Sequence, residues 1–382
     1  MRILIFLLIS YFHQSSLHAQ DFEKNYLDNL MQRIPVAETY ATTNIAKYVI
    51  ENFSTDDKRL LAIYKWITEN MKYDTDSANI INLGSLDANA KISSALRRRK
   101  GVCENYAAVF IDICTKAGIK SYMVDGYTKQ YGTLDKSGHA WCAVFIKSSW
   151  FLCDPTWDEG KGTRKYFMLP PSEMIKSHMP FDPMWQLLNY PIKHKEFYDG
   201  DFYSNKRKPF FNYTDSIESY FQLDSLQKFK ATALRIQQSG LENNMVKNRL
   251  AYAKMHVELI RQQKDVDLYN SAMADLRNAA ELYNQFLDHR NKKFSSTTDD
   301  ALQKLLMEID LKFAAALKKL KVIDETEAVF QFSTEEVREK IKALETKTEE
   351  QKSFLKIYLN TPSSSRKLLF TGSRNILSAS AK

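Results

Sequence analysis

Lys100-Gly101-Val102-Cys103-Glu104-Asn105-Tyr106-Ala107-Ala108-Val109-Phe110 sets one cysteine just past a glycine, at the start of an amphipathic pattern. Apolar residues recur at Val102, Tyr106, Val109, Phe110, Ile113, Cys114 and Ala117, a spacing that fits 3.6 residues per turn. Gly118 stands where such a helix closes on a left-handed residue. Cys103 therefore falls in the first turn, where free backbone N–H groups and the positive end of the helix dipole favour an anion. That position suits a nucleophilic thiol; a buried structural cysteine is the other reading of the stretch taken alone.

Downstream, Gly138-His139-Ala140-Trp141-Cys142-Ala143-Val144-Phe145-Ile146 and Trp150-Phe151-Leu152-Cys153-Asp154-Pro155-Thr156-Trp157 are β-rich runs joined by Lys147-Ser148-Ser149. The pattern predicts a hairpin. With Lys147 and Ser148 central, Trp141 faces Asp154, and period-2 alternation brings His139 to the same face one diagonal step away. Cysteine, histidine and aspartate in that order are what a thiol nucleophile, its base and the group orienting that base require.

Gly101-Val102-Cys103-Glu104-Asn105-Tyr106-Ala107, then Gly138-His139-Ala140-Trp141-Cys142-Ala143-Val144, then Cys153-Asp154-Pro155-Thr156-Trp157 resemble the three motif blocks of the transglutaminase-like superfamily. Tyr166-Phe167-Met168-Leu169-Pro170 and the run from His178 to Leu188 look like the tail of the branch that includes kyphoscoliosis peptidase and the fungal cytokinesis proteins. The resemblance covers roughly residues 55 to 190. It implies an α+β fold with a papain-like core and Cys103, His139 and Asp154 as a catalytic triad. The superfamily holds protein cross-linkers, peptidases, peptide N-glycanases and members without activity, so it specifies the site more firmly than the reaction.

At the other end, Met1-Arg2, the apolar run Ile3 to Ser10 and the small-residue close Leu17-His18-Ala19 read as a secretory signal peptide over residues 1–19. No later segment is apolar for the twenty or so residues a span requires. An exported chain is allowed disulfides, yet four cysteines are too few for a disulfide scaffold. Cys142 and Cys153 fall opposite each other in the hairpin register, as a cross-strand bond or as two buried thiols.

Residues 21–53 predict one or two short helices, and Ser54-Thr55-Asp56-Asp57 opens a helix through Leu60, Leu61, Tyr64, Ile67 and Met71. Trp66 and Tyr73 on and after it could line the cleft, or pack against the cysteine helix. The cations Arg97, Arg98, Arg99 and Lys100 could hold an acidic substrate; such runs are more often a solvated face. A nucleic-acid function is excluded by charge: residues 20–200 hold 23 Lys and Arg against 22 Asp and Glu, a net of +1. Scattered histidines, no paired cysteine spacing and no phosphate-binding glycine loop predict neither metal nor cofactor.

Past a polar connector at 193–209 the chain reads as helical, over 215–239, 241–263, 266–290, 298–322 and 334–359. The expected layout is a catalytic domain over 20–200, an all-α bundle over 201–360 and a disordered tail over 361–382. The leading expectation is thiol-mediated acyl transfer on a protein or peptide, as peptidase or transamidase, with the C-terminal helices able to recruit a protein partner. The competing one is a silent peptide-binding module.

Overall fold

The computed structural model describes residues 30–31, 33–76, 88–202, 208–324 and 334–371. The signal-peptide reading of residues 1–19 lies outside them. Among the described residues, no helix is long and apolar enough to cross a membrane.

Thr55 ends an extended approach and Asp56 and Asp57 occupy the first turn of the helix Asp56–Asn70, acids placed where the dipole favours them. That helix buries Leu60, Ile63, Tyr64, Trp66 and Ile67. Two short parallel strands follow, β1 (Lys72–Tyr73) and β2 (Lys100–Gly101), and β2 delivers the chain into the helix Cys103–Lys116. Asn105 accepts from the Val102 N–H at 3.0 Å and so closes the N-terminus. At the far end Gly118 takes φ +81°, with its N–H on Thr115 O at 3.1 Å and the Ile119 N–H on Cys114 O at 2.8 Å, a Schellman closure.

The sheet has four antiparallel strands, β3 (Lys120–Gln130), β4 (Thr133–Ile146), β5 (Ser149–Cys153) and β6 (His178–Pro180), in the order β5-β4-β3-β6. The hairpin has the expected register, Cys142 opposite Cys153 and Ile146 opposite Ser149. Lys147 and Ser148 both have positive φ, 49° and 58°, the primed turn whose twist suits two strands joined by two residues. Strands β3 and β6 were not expected from the sequence. Gly126 of β3 lies where a Cβ would come within 2.5 Å of Trp141 Cη2 and closer still to Met179 O, so β6 can approach only a glycine.

One sheet face packs Cys142, Val144 and Cys153 on Phe110, Ile113 and Cys114 of the cysteine helix. The other packs Val124, Trp141 and Leu152 on Met184, Trp185 and Ile217. Fully burying one such side chain is worth about 1.5–3 kcal/mol, so these two layers hold the hairpin rigid. Cys142 and Cys153 are free thiols: Cys142 Sγ lies 3.9 Å from Ala107 O, and Cys153 Sγ accepts from the Met168 N–H at 3.3 Å.

The first compact unit ends at Lys254, past the connector near residue 200. Helices Tyr213–Gln222 and Ser225–Ser239 belong to it: Ile217 enters the core, and Arg235 forks onto Asp182 with contacts of 2.8, 3.0 and 2.6 Å. The helices expected over 241–263 and 266–290 are one, Asn244–Asn291, since no glycine or proline interrupts that span. In the second unit, Met255–Lys382, the later part of that helix shares a core with Asp299–Asp324 and Thr334–Asn360 through Phe286, Leu306, Phe313, Ile341 and Leu355. The described part of the stretch read as a tail reaches residue 371. Arg366–Phe370 is a 3₁₀ turn, its Phe370 ring against Phe294 and Phe354 and its Arg366 paired with Asp299 at 2.9 Å.

Candidate active site

Cys103 is the first residue of its helix and stays partly exposed, whereas Cys114, Cys142 and Cys153 are buried. Burial pushes all three of those thiols up, Cys153 to about 12. Cys103 and His139 line one cleft of about 540 Å³ together with Met123, Phe181, Arg249 and Tyr252. A second, polar cavity of about 720 Å³ shares Gly138 and His139 with it and is walled by Tyr73, Trp157 and Lys165. His139 therefore stands between two openings.

His139 Nε2 lies 2.7 Å from Asp154 Oδ2, with 10% of the His139 side chain exposed and none of Asp154's. Burial works against a charged imidazole, yet the Asp154 carboxylate overrides it and raises His139 to about 10, with a hydrogen bond to Cys103 adding to the shift. Burial likewise opposes the Asp154 charge, but the imidazolium and the imidazole N–H donors hold its carboxyl well below the usual range.

The backbone fixes Asp154 at the end of β5. Its Oδ1 accepts from the N–H of Thr156 at 2.9 Å and of Trp157 at 3.2 Å, and its carbonyl oxygen lies 2.9 Å from Tyr64 Oη. Tyr64 Oη is also 2.7 Å from Asp158 Oδ2, which accepts from the Tyr166 N–H at 2.8 Å. The helix Asp56–Asn70 thus anchors the turn that carries the carboxylate.

The structure brings Cys103, His139 and Asp154 to one place and adds His178, which the sequence left among scattered histidines. Its Nε2 lies 3.1 Å from the same Asp154 Oδ2, and its Nδ1 is 2.8 Å from Ser177 Oγ. The only sequence signal for it was its place in the motif tail. Tyr73 lines the larger cavity, while Trp66 lies under the Arg99 guanidinium, 4.8 Å from it. The basic run is bound locally: Arg98 pairs with Asp74, and Lys100 reaches Asp74 at 3.1 Å and Asp76 at 2.9 Å. The charges of Arg98 and Lys100 are directed at the chain's own acids.

Among the described residues, His139, Asp154 and His178 are a set of potential metal ligands, their ligand atoms within 4.8 Å of one another. Both imidazoles point at one oxygen at hydrogen-bond spacing. A metal would take the place of the N–H protons they donate to Asp154.

Residues 43–155 match the model of the Transglutaminase-like superfamily, a span that contains Cys103, His139 and Asp154 and stops short of His178. Among curated proteins the chain is similar to kyphoscoliosis peptidase of Homo sapiens, 28% identical over 218 residues, 50% of this chain and 32% of that protein. It is also similar to Hillarin of Drosophila melanogaster, 23% identical over 229 residues, 52% of this chain and 26% of that protein. The chain spans a third or less of the length of these relatives. Among solved structures, the periplasmic domain of TgpA from Pseudomonas aeruginosa aligns with a TM-score of 0.26 and 17% identity, covering 31% of this chain and 42% of that one.

Proposed function

We propose that the chain, whose residues 43–155 match the transglutaminase-like superfamily, is a cysteine enzyme performing acyl transfer on protein or peptide substrates, with Cys103, His139 and Asp154 as its triad. The observation that carries this reading is the shared cleft of Cys103 and His139, with His139 Nε2 on a buried carboxylate. Cys103 Sγ adds to a carboxamide or peptide carbonyl; the C–N bond breaks as His139 gives its proton to the departing amine, leaving a thioester. Water or a second amine then displaces the thiol, and His139 takes up the proton the incoming nucleophile releases. The Cys103 backbone N–H, at the first helical position, is a donor for the oxyanion.

Two cavities meeting at His139 support a substrate that reaches the thiol from one side and an acceptor, or the remainder of a peptide, on the other. Incubating the purified protein with a glutamine-containing peptide library and a primary amine, and reading products by mass spectrometry, separates the outcomes. Hydrolysed or amine-bearing peptides, absent with Cys103→Ala, are the expected result; an unchanged library would overturn the reading.

Two further parts of the proposal concern the rest of the chain. The leader-like residues 1–19 support export, secreted or periplasmic, and N-terminal sequencing of exported protein should begin at Gln20. The second unit supports a docking role for a protein partner, since Met307 and Leu311, one turn apart, are 63% and 66% exposed.

A further inference from the structure

We propose that His178 is a positioning residue for this centre: its Nε2–H holds the Asp154 carboxylate in the orientation from which that carboxylate orients His139. The inference rests on the acyl-transfer reading above. Asp154 is fully buried, and four donors meet it. Oδ1 takes the N–H groups of Thr156 and Trp157, and Oδ2 takes His139 Nε2 at 2.7 Å and His178 Nε2 at 3.1 Å. A carboxylate rotates easily about its terminal torsion, and two backbone donors on one oxygen leave the other free to swing. A second imidazole on Oδ2 removes that freedom.

The proton assignment follows from the contacts. An ionised carboxylate only accepts, so His178 Nε2 carries the hydrogen. Burial disfavours a charged His178, so its Nδ1 is bare and accepts from Ser177 Oγ–H at 2.8 Å. The ring is itself fixed: His178 is 1% exposed, pairs with Thr128 across β6 and β3, and has Trp157, Trp141 and Tyr166 at centroid distances of 4.3, 5.1 and 5.6 Å. His178 lies outside the span matched by the superfamily model, so this donor is supplied by a segment beyond the shared motif blocks.

The test compares wild type, His178→Phe, which fills the slot without an N–H, and His178→Gln, which restores an amide donor. The readout is the rate at which iodoacetamide alkylates Cys103 near pH 6 in the folded protein. Loss of an outer partner of an oriented histidine costs about 10- to 100-fold at metal centres, so His178→Phe should slow alkylation by about that factor and His178→Gln should recover most of it. A His178→Phe protein that melts like wild type and reacts as fast overturns the role of His178 and leaves the acyl-transfer reading standing. Wild-type Cys103 reacting no faster than in the denatured chain overturns both. Should His178→Phe not fold, ring ¹⁵N shifts of histidine-labelled wild type decide the matter: a neutral His178 protonated at Nε2 supports the role, and protonation at Nδ1 overturns it.

Discussion

His139 and Asp154 meet at 2.7 Å, fifteen residues apart in sequence, because the turn at Lys147 and Ser148 folds β5 back along β4. The pair sets a pH window for stability. The folded His139 holds its proton up to about 10 against an ordinary value of 6.5, so its contribution is whole below pH 6.5 and is lost as pH rises towards 10. Folded Asp154 is depressed below its ordinary 3.8, so its contribution is whole above pH 3.8 and is lost on further acidification. The melting-temperature gap between wild type and His139→Ala should be widest between about pH 4 and 6.5 and close towards pH 10. A gap that does not vary with pH would show that the pair is not ionised.

Asp154→Asn should fold and label slowly. The change removes the charge that stabilises the His139 imidazolium and sets an NH₂ or a neutral oxygen against donors. In a serine triad the equivalent change costs about 10⁴-fold; cysteine enzymes that form a thiolate–imidazolium pair before substrate binds depend less on the carboxylate, so a loss of roughly 10- to 10³-fold is expected. Acylation of Cys103 by an electrophilic peptide, followed by intact-mass measurement, checks it. Wild-type speed in Asp154→Asn would reduce the residue to a turn-former beside Pro155.

Native protein treated briefly with iodoacetamide at neutral pH should carry one label, on Cys103, and four after denaturation without reductant. Cys114, Cys142 and Cys153 are buried with raised thiols, so both access and thiolate formation oppose their reaction. Two labels on denatured, unreduced protein would mean that Cys142 and Cys153 are bonded.

A fragment ending at residue 200 should be much less stable than one ending at 254. The shorter fragment lacks Arg235, leaving the buried Asp182 carboxylate without its guanidinium, and breaking such a pair typically costs about 3–5 kcal/mol. It also uncovers the face that Ile236, Val246 and Ala253 bury against Met179 and Phe197. Urea unfolding of the two fragments compares them directly; equal midpoints would place the domain edge near 200.

Gly126→Ala should destabilise by about 1–3 kcal/mol, the range for overpacking, because the added methyl meets the Met179 carbonyl and the Trp141 ring. Thermal melting reads the stability. Alkylation of Cys103 reads whether β6, displaced, still brings His178 to Asp154.

The contacts visible in the sequence were those that close over short distances. Gly118 as a helix end and Cys142 opposite Cys153 follow from one helical period and one hairpin, each a local rule applied to named residues. His178 was not legible because its place depends on β6 pairing with β3, Thr128 opposite His178 across fifty residues of chain, and a three-residue strand has no alternation to read. The register between distant strands is set by tertiary packing at Gly126 and Trp141, which the sequence shows only as a glycine and a tryptophan. The fusion of two expected helices into Asn244–Asn291 has a simpler cause. The two residues left between the expected helices, Lys264 and Asp265, are not helix stoppers.

Asp154 has another property once its four donors are counted. Every favourable direction around its two oxygens is occupied by a donor in a site closed to solvent, and these donors lower the carboxylate's affinity for a proton while His139's is raised, so the shared hydrogen stays on His139 Nε2. The carboxylate is the end of the line for protons. A proton held on the imidazole therefore reaches solvent on the side away from Asp154, where, among the described residues, the two cavities beside His139 open.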